Sequence, residues 1–588
     1  MQLLQRAHAE RQERLPPAIA TPKFNLRIFF WGVALTLGLL RVWAHRNDVS
    51  PDSISYIEIA WRTTRFGLHE IVNAYWSPLY PFLLSLVFRF FHPPVQWDFT
   101  AAHLLNFVVY VASLASFELF LKELILLRQN SGDSPEKSSP VSSRTVWIWG
   151  YVFFLWASYF WLGPTWVTPD LCVAVLVYLA TALLFRIWRG QGSWLVFMGY
   201  GALLGLGYLA KAAMFPLSFV FLFSAFCLSR IAATSSRSAA LRTLLAAGVF
   251  STFAVPLVLS LSAAKGRPTF GDVGRISYTE YIDRATKTVH WQGEPLGTGI
   301  PAHPTRRIFS DPAAYEFASP IAGSYAPWYD SSYWYEGVRP HFQLKGQLWA
   351  LFRAANLYLK IFSKSGALWV GFVALWVASR RALAWGSFAR GAWLVILPSV
   401  AALAMYSLVL VEFRYVAPFA LMLMLWMLAR IRILGVAEPR SLKRFHLVFV
   451  LAPAFAVAWA VAHDLFDVIQ NKPYEPWVVA QQLHAMGFPP GTEVGFIGTG
   501  LEAYWAHLAG MRIIVEIPAT EQQRFIAADD HRRQKVLALF SSVGARAVLT
   551  KNADVANPAD GWRQIPGTHH FIWREPWLIA APEKKSIM

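Results

Sequence analysis

A carboxylate in the first polar segment of the chain could act as a general base. The segment contains Asp48-Val-Ser-Pro51-Asp52-Ser-Ile-Ser-Tyr56. Asp52 follows a proline, which suits the first turn of a helix, where negative charge is stabilised. Asp52 and Tyr56 are four residues apart and would share one helical face. Such a carboxylate could take a proton from a hydroxyl, or it could only cap a surface helix.

Three more charged residues lie at the ends of apolar runs. Asp170 follows a Thr-Pro pair, Lys211 ends one apolar run, and Arg414, with Tyr415 after it, begins another. Ionisable residues at such boundaries are candidates for function. The two cations could neutralise a phosphate, lysine as a point charge and arginine as a fork. Each could instead be an anchor whose charged end reaches the membrane surface.

A long polar segment, 264–347, is rich in aromatic residues and histidines, which suits stacking on sugar rings or contact with lipid headgroups. A loop of this length is usually functional or disordered. His290 and His303 lack the spacing of metal ligands, so the sequence predicts no metal site from them.

The composition requires lipid as the solvent for much of the chain. It has 588 residues, 55% of them hydrophobic and only 15% charged, whereas soluble proteins have about 25% charged residues. The 27 Trp and 43 Phe residues agree with this, because aromatic side chains gather at membrane interfaces. Cys172 and Cys227 both lie in apolar runs, which argues against a disulfide framework. The net charge of +18 is spread between apolar segments, so we predict no nucleic-acid partner.

The apolar runs predict an α-helical polytopic membrane protein with about eleven spans, because a span needs about 20 mainly apolar residues. The run 76–91 is short, begins with a proline-containing turn and contains Arg89, so we predict a re-entrant or interface helix there. The predicted spans are 25–44, 98–121, 145–163, 170–187, 194–210, 212–229, 243–263, 364–379, 391–410, 415–431 and 445–463.

The basic residues predict the orientation. With residues 1–24 as a cytoplasmic tail and no cleavable signal peptide, Lys and Arg cluster in alternate loops, as cytoplasmic loops require. The short outer turns then contain only Lys211 and Arg414. Residues 25–463 form the transmembrane domain in this interpretation. Its large outer segments are 45–97 and 264–347, and residues 464–588 form a third outer segment.

Residues 464–588 alternate between helix and strand patterns, which predicts a small C-terminal α/β domain with a parallel sheet. The predicted strands are 493–497, 512–516 and 547–550. Gly495, Gly498, Gly500 and Glu516 loosely match a dinucleotide-binding fingerprint, but the domain is too short for that fold, so we interpret them as turn glycines.

The charged segments that contain Asp52, Asp170, Lys211 and Arg414 lie on one predicted membrane face. In their order along the chain they resemble the motifs of the GT-C glycosyltransferases. The most similar group is family 39, which contains protein O-mannosyltransferases and lipid A aminoarabinose transferases. The resemblance covers about residues 25–435. Ser77 and Trp76 replace the proline and the basic residue usual in the family, and Ala212 replaces a glycine. The matching segments are Asp52-Ser-Ile-Ser-Tyr56-Ile-Glu-Ile-Ala60, Trp76-Ser-Pro78-Leu-Tyr80, Thr168-Pro169-Asp170-Leu, Lys211, and Arg414-Tyr415 with Pro418.

The resemblance implies that a sugar is transferred outside the cytoplasm, at a bacterial plasma membrane, from a polyprenyl-phosphate donor to a glycan, lipid or protein acceptor. Asp52 would be the base in an inverting displacement, and Asp170 would orient the acceptor or support the site. Lys211, Arg414 and Tyr415 would hold the phosphate. No cofactor is implied; some relatives use a divalent metal, for which the sequence shows no cluster. The supporting residues would be Asp48, Tyr56, Tyr80 and His303.

Two other classes of function remain open. A transporter or flippase of a lipid-linked sugar should have paired halves with broken helices and charges near the middle of the bilayer. No internal repeat is evident, and the charges lie at one face, which favours an enzyme. A receptor-like scaffold would leave the outer-face acidic and basic residues unexplained.

Overall fold

The structure, a computed structural model, is a bundle of apolar helices with a mixed β-sheet packed on one end. We call this end of the bundle the sheet end. The structure describes residues 24–129, 138–232, 235–283, 305–317, 322–329, 340–364, 391–429, 432–434 and 440–574.

The helices of the bundle and its connecting segments are α1 (Phe24–Ala44), α2 (Pro51–Phe66), α3 (Leu79–Phe91), α4 (Asp98–Gln129), α5 (Ser143–Phe160), α6 (Asp170–Trp188), α7 (Trp194–Ala210), α8 (Met214–Ile231), α9 (Ser236–Lys265), α10 (Val273–Tyr281), α11 (Ala326–Tyr329), α12 (Leu344–Lys364), α13 (Trp393–Ser407), α14 (Phe413–Ala429) and α15 (Arg440–Gln470). Away from the sheet end, β1 (Ser138–Pro140) pairs antiparallel with β4 (Arg432–Leu434).

The apolar helices confirm the predicted fold class of a polytopic helical membrane protein. Within the described residues, six candidate spans, on α1, α4, α6, α8, α9 and α15, are long and apolar enough to cross a membrane. Shorter apolar helices are α3, α7, α13 and α14. The predicted span 364–379 lies almost wholly outside the described residues.

Large apolar side chains project outward from the bundle, as lipid contact requires. On α15, Phe455 and Trp459 are each 73% exposed, and Leu244 on α9 is 65% exposed. A bilayer buries such side chains without a protein partner, so these surfaces belong to the membrane-facing side.

Short helices cover the sheet end. The run predicted to be too short for a span is α3, whose 13 residues extend about 20 Å at 1.5 Å per residue, less than the roughly 30 Å hydrocarbon core. Helix α2 lies against α3 and begins at Pro51. Ser50 caps α2, since its hydroxyl accepts a hydrogen bond from the backbone of Ser53 and the Ser53 hydroxyl accepts one from Ser50.

Within the described residues the sheet has seven strands, which are β2 (Arg306–Ser310), β3 (Ala313–Glu316), β5 (Glu493–Gly498), β6 (Arg512–Pro518), β7 (Val548–Thr550), β8 (Arg563–Gln564) and β9 (Phe571–Trp573). Their order across the sheet is β2-β3-β6-β5-β7-β9-β8. The central strands β6, β5 and β7 are parallel, and the outer strands pair antiparallel with their neighbours. The helices here are α16 (Glu475–Ala485), α17 (Tyr504–Ala509), α18 (Gln522–Ala527) and α19 (Asp530–Ser542).

The parallel centre matches the sequence-based prediction, but the sheet is wider. Strands β2 and β3 come from the segment 264–347, and β3 pairs with β6 through Tyr315 opposite Glu516. A pairing between strands so distant in the chain leaves no local pattern in the sequence, whereas the helix–strand alternation of the parallel centre does.

A buried histidine joins the sheet domain to the bundle. His507, on α17, has Nδ1 3.3 Å from a Glu58 carboxylate oxygen and Nε2 3.1 Å from one of Asp98. All three residues are buried. The Trp61 indole donates a hydrogen bond to Asp98, and the backbone N–H of Ser324 donates to Glu58. One side chain of the sheet domain therefore contacts α2 and the start of α4.

Two glycines of the sheet domain allow close packing. A Cβ on Gly500 would lie 2.6 Å from atoms of both Tyr325 and Glu516, and one on Gly495 would collide with Phe540. The Glu516 carboxylate is buried and accepts hydrogen bonds from the Tyr325 hydroxyl. Gly495 lies inside β5 and not in a turn, so the prediction of a turn glycine was wrong there, whereas Gly500 follows the end of that strand.

Candidate active site

The five residues predicted from the sequence to be catalytic or to bind phosphate line one cavity of about 600 Å³ at the sheet end. Its volume lies within the range of about 300–1,000 Å³ that is typical of small-molecule sites. The residues come from α2, α6, the α7–α8 junction and α14. They are Asp52, Asp170, Lys211, Arg414 and Tyr415.

Asp52 lies in the first turn of α2, where it carries no capping role because Ser50 caps the helix. Its carboxylate accepts a hydrogen bond of 2.8 Å from Arg414 Nη2. The side chain is 33% exposed, so one edge of this carboxylate faces the cavity. It is paired with a cation yet open to a ligand.

Asp170 begins α6 and is almost fully buried. One of its oxygens lies 2.5 Å from Lys211 Nζ, and the other accepts a hydrogen bond of 2.8 Å from the Thr168 hydroxyl. These two contacts hold the buried carboxylate against the lysine. Asp170 thus positions a cation at the cavity wall.

Arg414 lies between the two carboxylates. Besides its bond to Asp52, its Nε is 3.7 Å from an Asp170 oxygen. The Lys211 ammonium lies 3.3 Å from the centre of the Tyr415 ring, a cation–π contact. Two cations and two carboxylates therefore form a continuous network. A cation that only anchored a helix at the membrane surface would not require such a network.

The surroundings perturb the ionisable groups at the edge of this network. Burial lowers the pKa of Lys211, and the Asp170 carboxylate opposes that effect. Burial raises the pKa of Glu412, which also lines the cavity, and nearby Asp52 raises it further against the effect of Arg414. Clustered perturbed groups in a cleft are typical of functional sites.

A second basic cluster lines the cavity and was not among the residues singled out from the sequence. Arg267 donates hydrogen bonds of 2.7 and 2.6 Å to the carboxylate of Asp272, and Arg275 lies 3.4 Å from the same group. The backbone N–H of Asp272 donates to the Ala74 carbonyl, which fixes this loop beside α3. The two basic residues eight positions apart were visible in the sequence, but their position at the cavity depends on that tertiary contact.

Apolar side chains form another wall of the cavity. Met405, Val409 and Leu410 lie at and after the end of α13, and Pro216 and Phe270 lie near the start of α8 and after α9. The cavity lining therefore includes both charged and hydrocarbon groups, which fits an amphipathic ligand.

The four predicted supporting residues are placed differently from one another. Tyr56 lines the cavity and packs edge-on against Trp76. Tyr80 is buried, donates a hydrogen bond to Asn106, and only supports the Tyr56 ring from behind. Asp48 does not line this cavity: it pairs with His45 in a separate cavity. His303 lies outside the described residues.

The arrangement can do a definite kind of chemistry. It presents fixed cations for a developing negative charge beside a carboxylate that can accept a proton. Among the residues that the structure describes, no group of three or more His, Cys, Asp or Glu side chains could hold a metal ion.

Comparison with known proteins gives likeness in structure but not in sequence. No family model matches the chain, and no curated protein sequence matches it. ArnT from Cupriavidus metallidurans, solved in the apo state, aligns with a TM-score of 0.52 at 12% identity, over 94% of this chain and 98% of ArnT. ArnT bound to undecaprenyl phosphate aligns with the same TM-score and coverage at 13% identity. An oligosaccharyltransferase from Archaeoglobus fulgidus aligns at 13% identity with a TM-score of 0.48, over 90% of this chain and 70% of that protein.

At these identities the likeness concerns the fold alone. ArnT is a GT-C lipid A aminoarabinose transferase, and the alignment with it extends over nearly the whole of both chains. This chain therefore has the fold of the GT-C membrane glycosyltransferases.

Proposed function

We propose that this protein is a glycosyltransferase that moves a sugar from a polyprenyl-phosphate donor to an acceptor hydroxyl, with Asp52 as the general base. The observation that carries the proposal is the cavity itself, in which Asp52, Lys211 and Arg414 lie together beside an apolar wall. A donor of this class has a phosphate for the cations and a hydrocarbon chain for the apolar wall.

In the proposed reaction, each of these groups acts on the acceptor or on the donor phosphate. The acceptor oxygen attacks the anomeric carbon and forms the new bond, while the bond from that carbon to the phosphate oxygen breaks. Asp52 takes the acceptor proton, and the lipid phosphate leaves with the electron pair. Displacement from the opposite face inverts the anomeric centre. No general acid is needed, because Lys211 and Arg414 stabilise the charge on the leaving phosphate.

The same reasoning assigns roles to the other residues. Asp170 holds Lys211 and Arg414 in position through its 2.5 and 3.7 Å contacts. Tyr415 places its ring against the ammonium and completes the phosphate site. The structure of ArnT with undecaprenyl phosphate supports a donor of this class. We further propose that the sheet end, with the cavity and residues 464–588, faces away from the cytoplasm at a bacterial plasma membrane.

The test is transfer by purified full-length protein from a set of defined polyprenyl-phosphate sugars, with release of polyprenyl phosphate as the readout. Asp52→Asn keeps the size of the side chain but removes the base, so we expect turnover to fall by roughly 10²–10⁴-fold. The thermal unfolding midpoint should change little, because Arg414 keeps its contact with Asp170.

Asp467→Asn is the matched control. Asp467 is exposed on α15 and lines neither this cavity nor the one that contains Asp48, so its amide variant should retain turnover. Equal turnover by Asp52→Asn and the parent protein would remove Asp52 as the base.

A further inference from the structure

A larger cavity lies between the sheet domain and the sheet end of the bundle. Its volume is about 1160 Å³, above the range of about 300–1,000 Å³ of ordinary small-molecule pockets, which leaves room for an extended ligand. Its bundle side includes Ser53, Thr165 and Trp166, and its sheet side includes Thr499 and Asn552.

The cavity lies where an open α/β sheet binds ligands. From the central strand β5 the chain passes first to β6 on one side and later to β7 on the other. The connections diverge between β5 and β7, and ligands of open α/β sheets bind at the carboxyl ends of the strands at such a switch point. Gly498 ends β5 and Thr499 follows it, Lys551 and Asn552 follow β7, and all four line this cavity.

The chemistry of the lining suits a neutral, hydroxyl-rich ligand. Trp166 and Phe160 are 47% and 43% exposed, so their flat apolar surfaces are available for stacking. Side-chain amides of Asn47, Gln522 and Asn552 provide donors and acceptors together.

Several charged groups of this cavity form ion pairs within the protein. His45 lies 2.7 Å from Asp48, and its pKa is raised to about 9 by hydrogen bonds with Asp464 and Asp48. Lys551 Nζ lies 3.8 Å from a carboxylate oxygen of Glu475. Neither a strongly acidic nor a strongly basic ligand is favoured by such pairs.

The two cavities adjoin each other. Asp52 lines the smaller cavity and its chain neighbour Ser53 lines the larger one. The Trp166 ring lines the larger cavity and lies 5.4 Å from the guanidinium carbon of Arg414, which lines the smaller one. The proposed base therefore lies directly beside residues that line the larger cavity.

We propose that the larger cavity binds the acceptor and that the acceptor is a glycan, with its rings against Trp166 and Phe160 and its hydroxyls on the amides of Asn47, Gln522 and Asn552. The acceptor role rests on the proposed function; the saccharide site does not.

The experiment measures binding of neutral linear oligosaccharides of glucose, mannose and galactose, two to eight units long, to the full-length protein by saturation-transfer NMR. Ala553→Trp fills the cavity from an exposed lining position, and Gln522→Ala removes one lining amide. We expect at least one oligosaccharide to bind the parent protein, at least tenfold more weakly to Ala553→Trp and several-fold more weakly to Gln522→Ala.

The matched controls are Ala559→Trp and Gln523→Ala, exposed positions that line neither cavity, and both should bind as the parent protein does. Failure of every oligosaccharide to bind, or equal binding by Ala553→Trp, overturns the proposal. Unstructured Ser/Thr-rich peptides form a second arm; binding of these alone, lost in Ala553→Trp, would identify a protein acceptor and overturn the glycan assignment.

Undecaprenyl phosphate, as a third probe, separates this inference from the proposed function. Its binding should be equal in the parent protein and in Ala553→Trp. Oligosaccharide binding without any donor turnover would leave the saccharide site standing and refute the transferase. Donor turnover without oligosaccharide binding would support the transferase and refute the saccharide site.

Discussion

Arg414 bridges two carboxylates that the chain supplies from separate helices. Its guanidinium donates to Asp52 over 2.8 Å and has Nε 3.7 Å from Asp170. A guanidinium can do this because it carries donors in a rigid fork, whereas an ammonium is a point charge. The shape of the guanidinium therefore matters at this position as well as its charge.

The variant Arg414→Lys tests that use of shape. A lysine would keep the positive charge but could not hold both carboxylates, so we expect turnover to fall by about 100-fold, a loss of about 3 kcal/mol in transition-state stabilisation. Steady-state kinetics with polyprenyl-phosphate sugars measure it. Arg65→Lys, at an exposed position on α2, should have parental kinetics. Full activity of Arg414→Lys would show that charge alone suffices.

Much of the candidate site could be predicted from sequence, because an isolated charge beside an apolar run stands out. Asp52, Asp170, Lys211 and Arg414 were recognisable in this way and lie in one cavity. The second cluster was not, because Arg267 and Asp272 belong to a long loop whose path depends on the contact between Asp272 and Ala74. Asp48 shows that nearness in sequence can also mislead. It lies four residues from Asp52 and was predicted to support the site, but it lines another cavity.

Helix α2 connects the candidate active site with the sheet domain. Its first turn carries Asp52, and less than two turns later Glu58 contacts His507. Burial by itself lowers the pKa of His507, but the hydrogen bonds with Asp98 and Glu58 outweigh burial and raise the pKa to about 9. The protonated histidine therefore stabilises the contact between bundle and sheet at neutral pH.

This contact predicts a pH dependence. Because the folded-state pKa of His507 is raised above its ordinary value of 6.5, the stabilisation is fully present below about pH 6.5 and is lost as the pH rises through about 9. Its magnitude is of the order of 3 kcal/mol. Hydrogen exchange of α17 and β6, measured between pH 6.5 and 9.5 and corrected for intrinsic exchange, should show falling protection.

His507→Gln should remove that pH dependence and lower protection at pH 6.5. The control is His484→Gln, on the neighbouring helix α16, whose imidazole contacts a backbone carbonyl instead of a carboxylate. A pH slope that persists in His507→Gln would assign the effect to another group.

Across the whole molecule, apolar runs define the bundle while distant pairing defines the sheet. The helical membrane class was predictable because lipid imposes about 20 apolar residues on each span. The full width of the sheet was not, because β3 pairs with β6 across most of the later bundle sequence. Residues 472–574 on their own therefore lack two strands and the Tyr325 hydroxyl that bonds to the buried Glu516.

We expect residues 472–574 expressed alone to associate, since β6 would become an exposed edge. Size-exclusion chromatography should show oligomers or loss to aggregation. Joining residues 305–317 to this fragment through a flexible linker restores the edge pairing and should shift the protein towards monomer. A monomeric, cooperatively unfolding fragment without the hairpin would contradict this expectation.

Because its strands lie far apart in the chain, the sheet can be completed only late in translation. Hairpin β2–β3 is synthesised before helices α12 to α15, and its partner strand β6 comes only after them. At roughly 5–20 residues per second, the hairpin waits on the order of ten seconds or more for that strand. The sheet side of the larger cavity therefore forms only after every helix of the bundle has left the ribosome, so a nascent chain cannot hold a saccharide there any earlier.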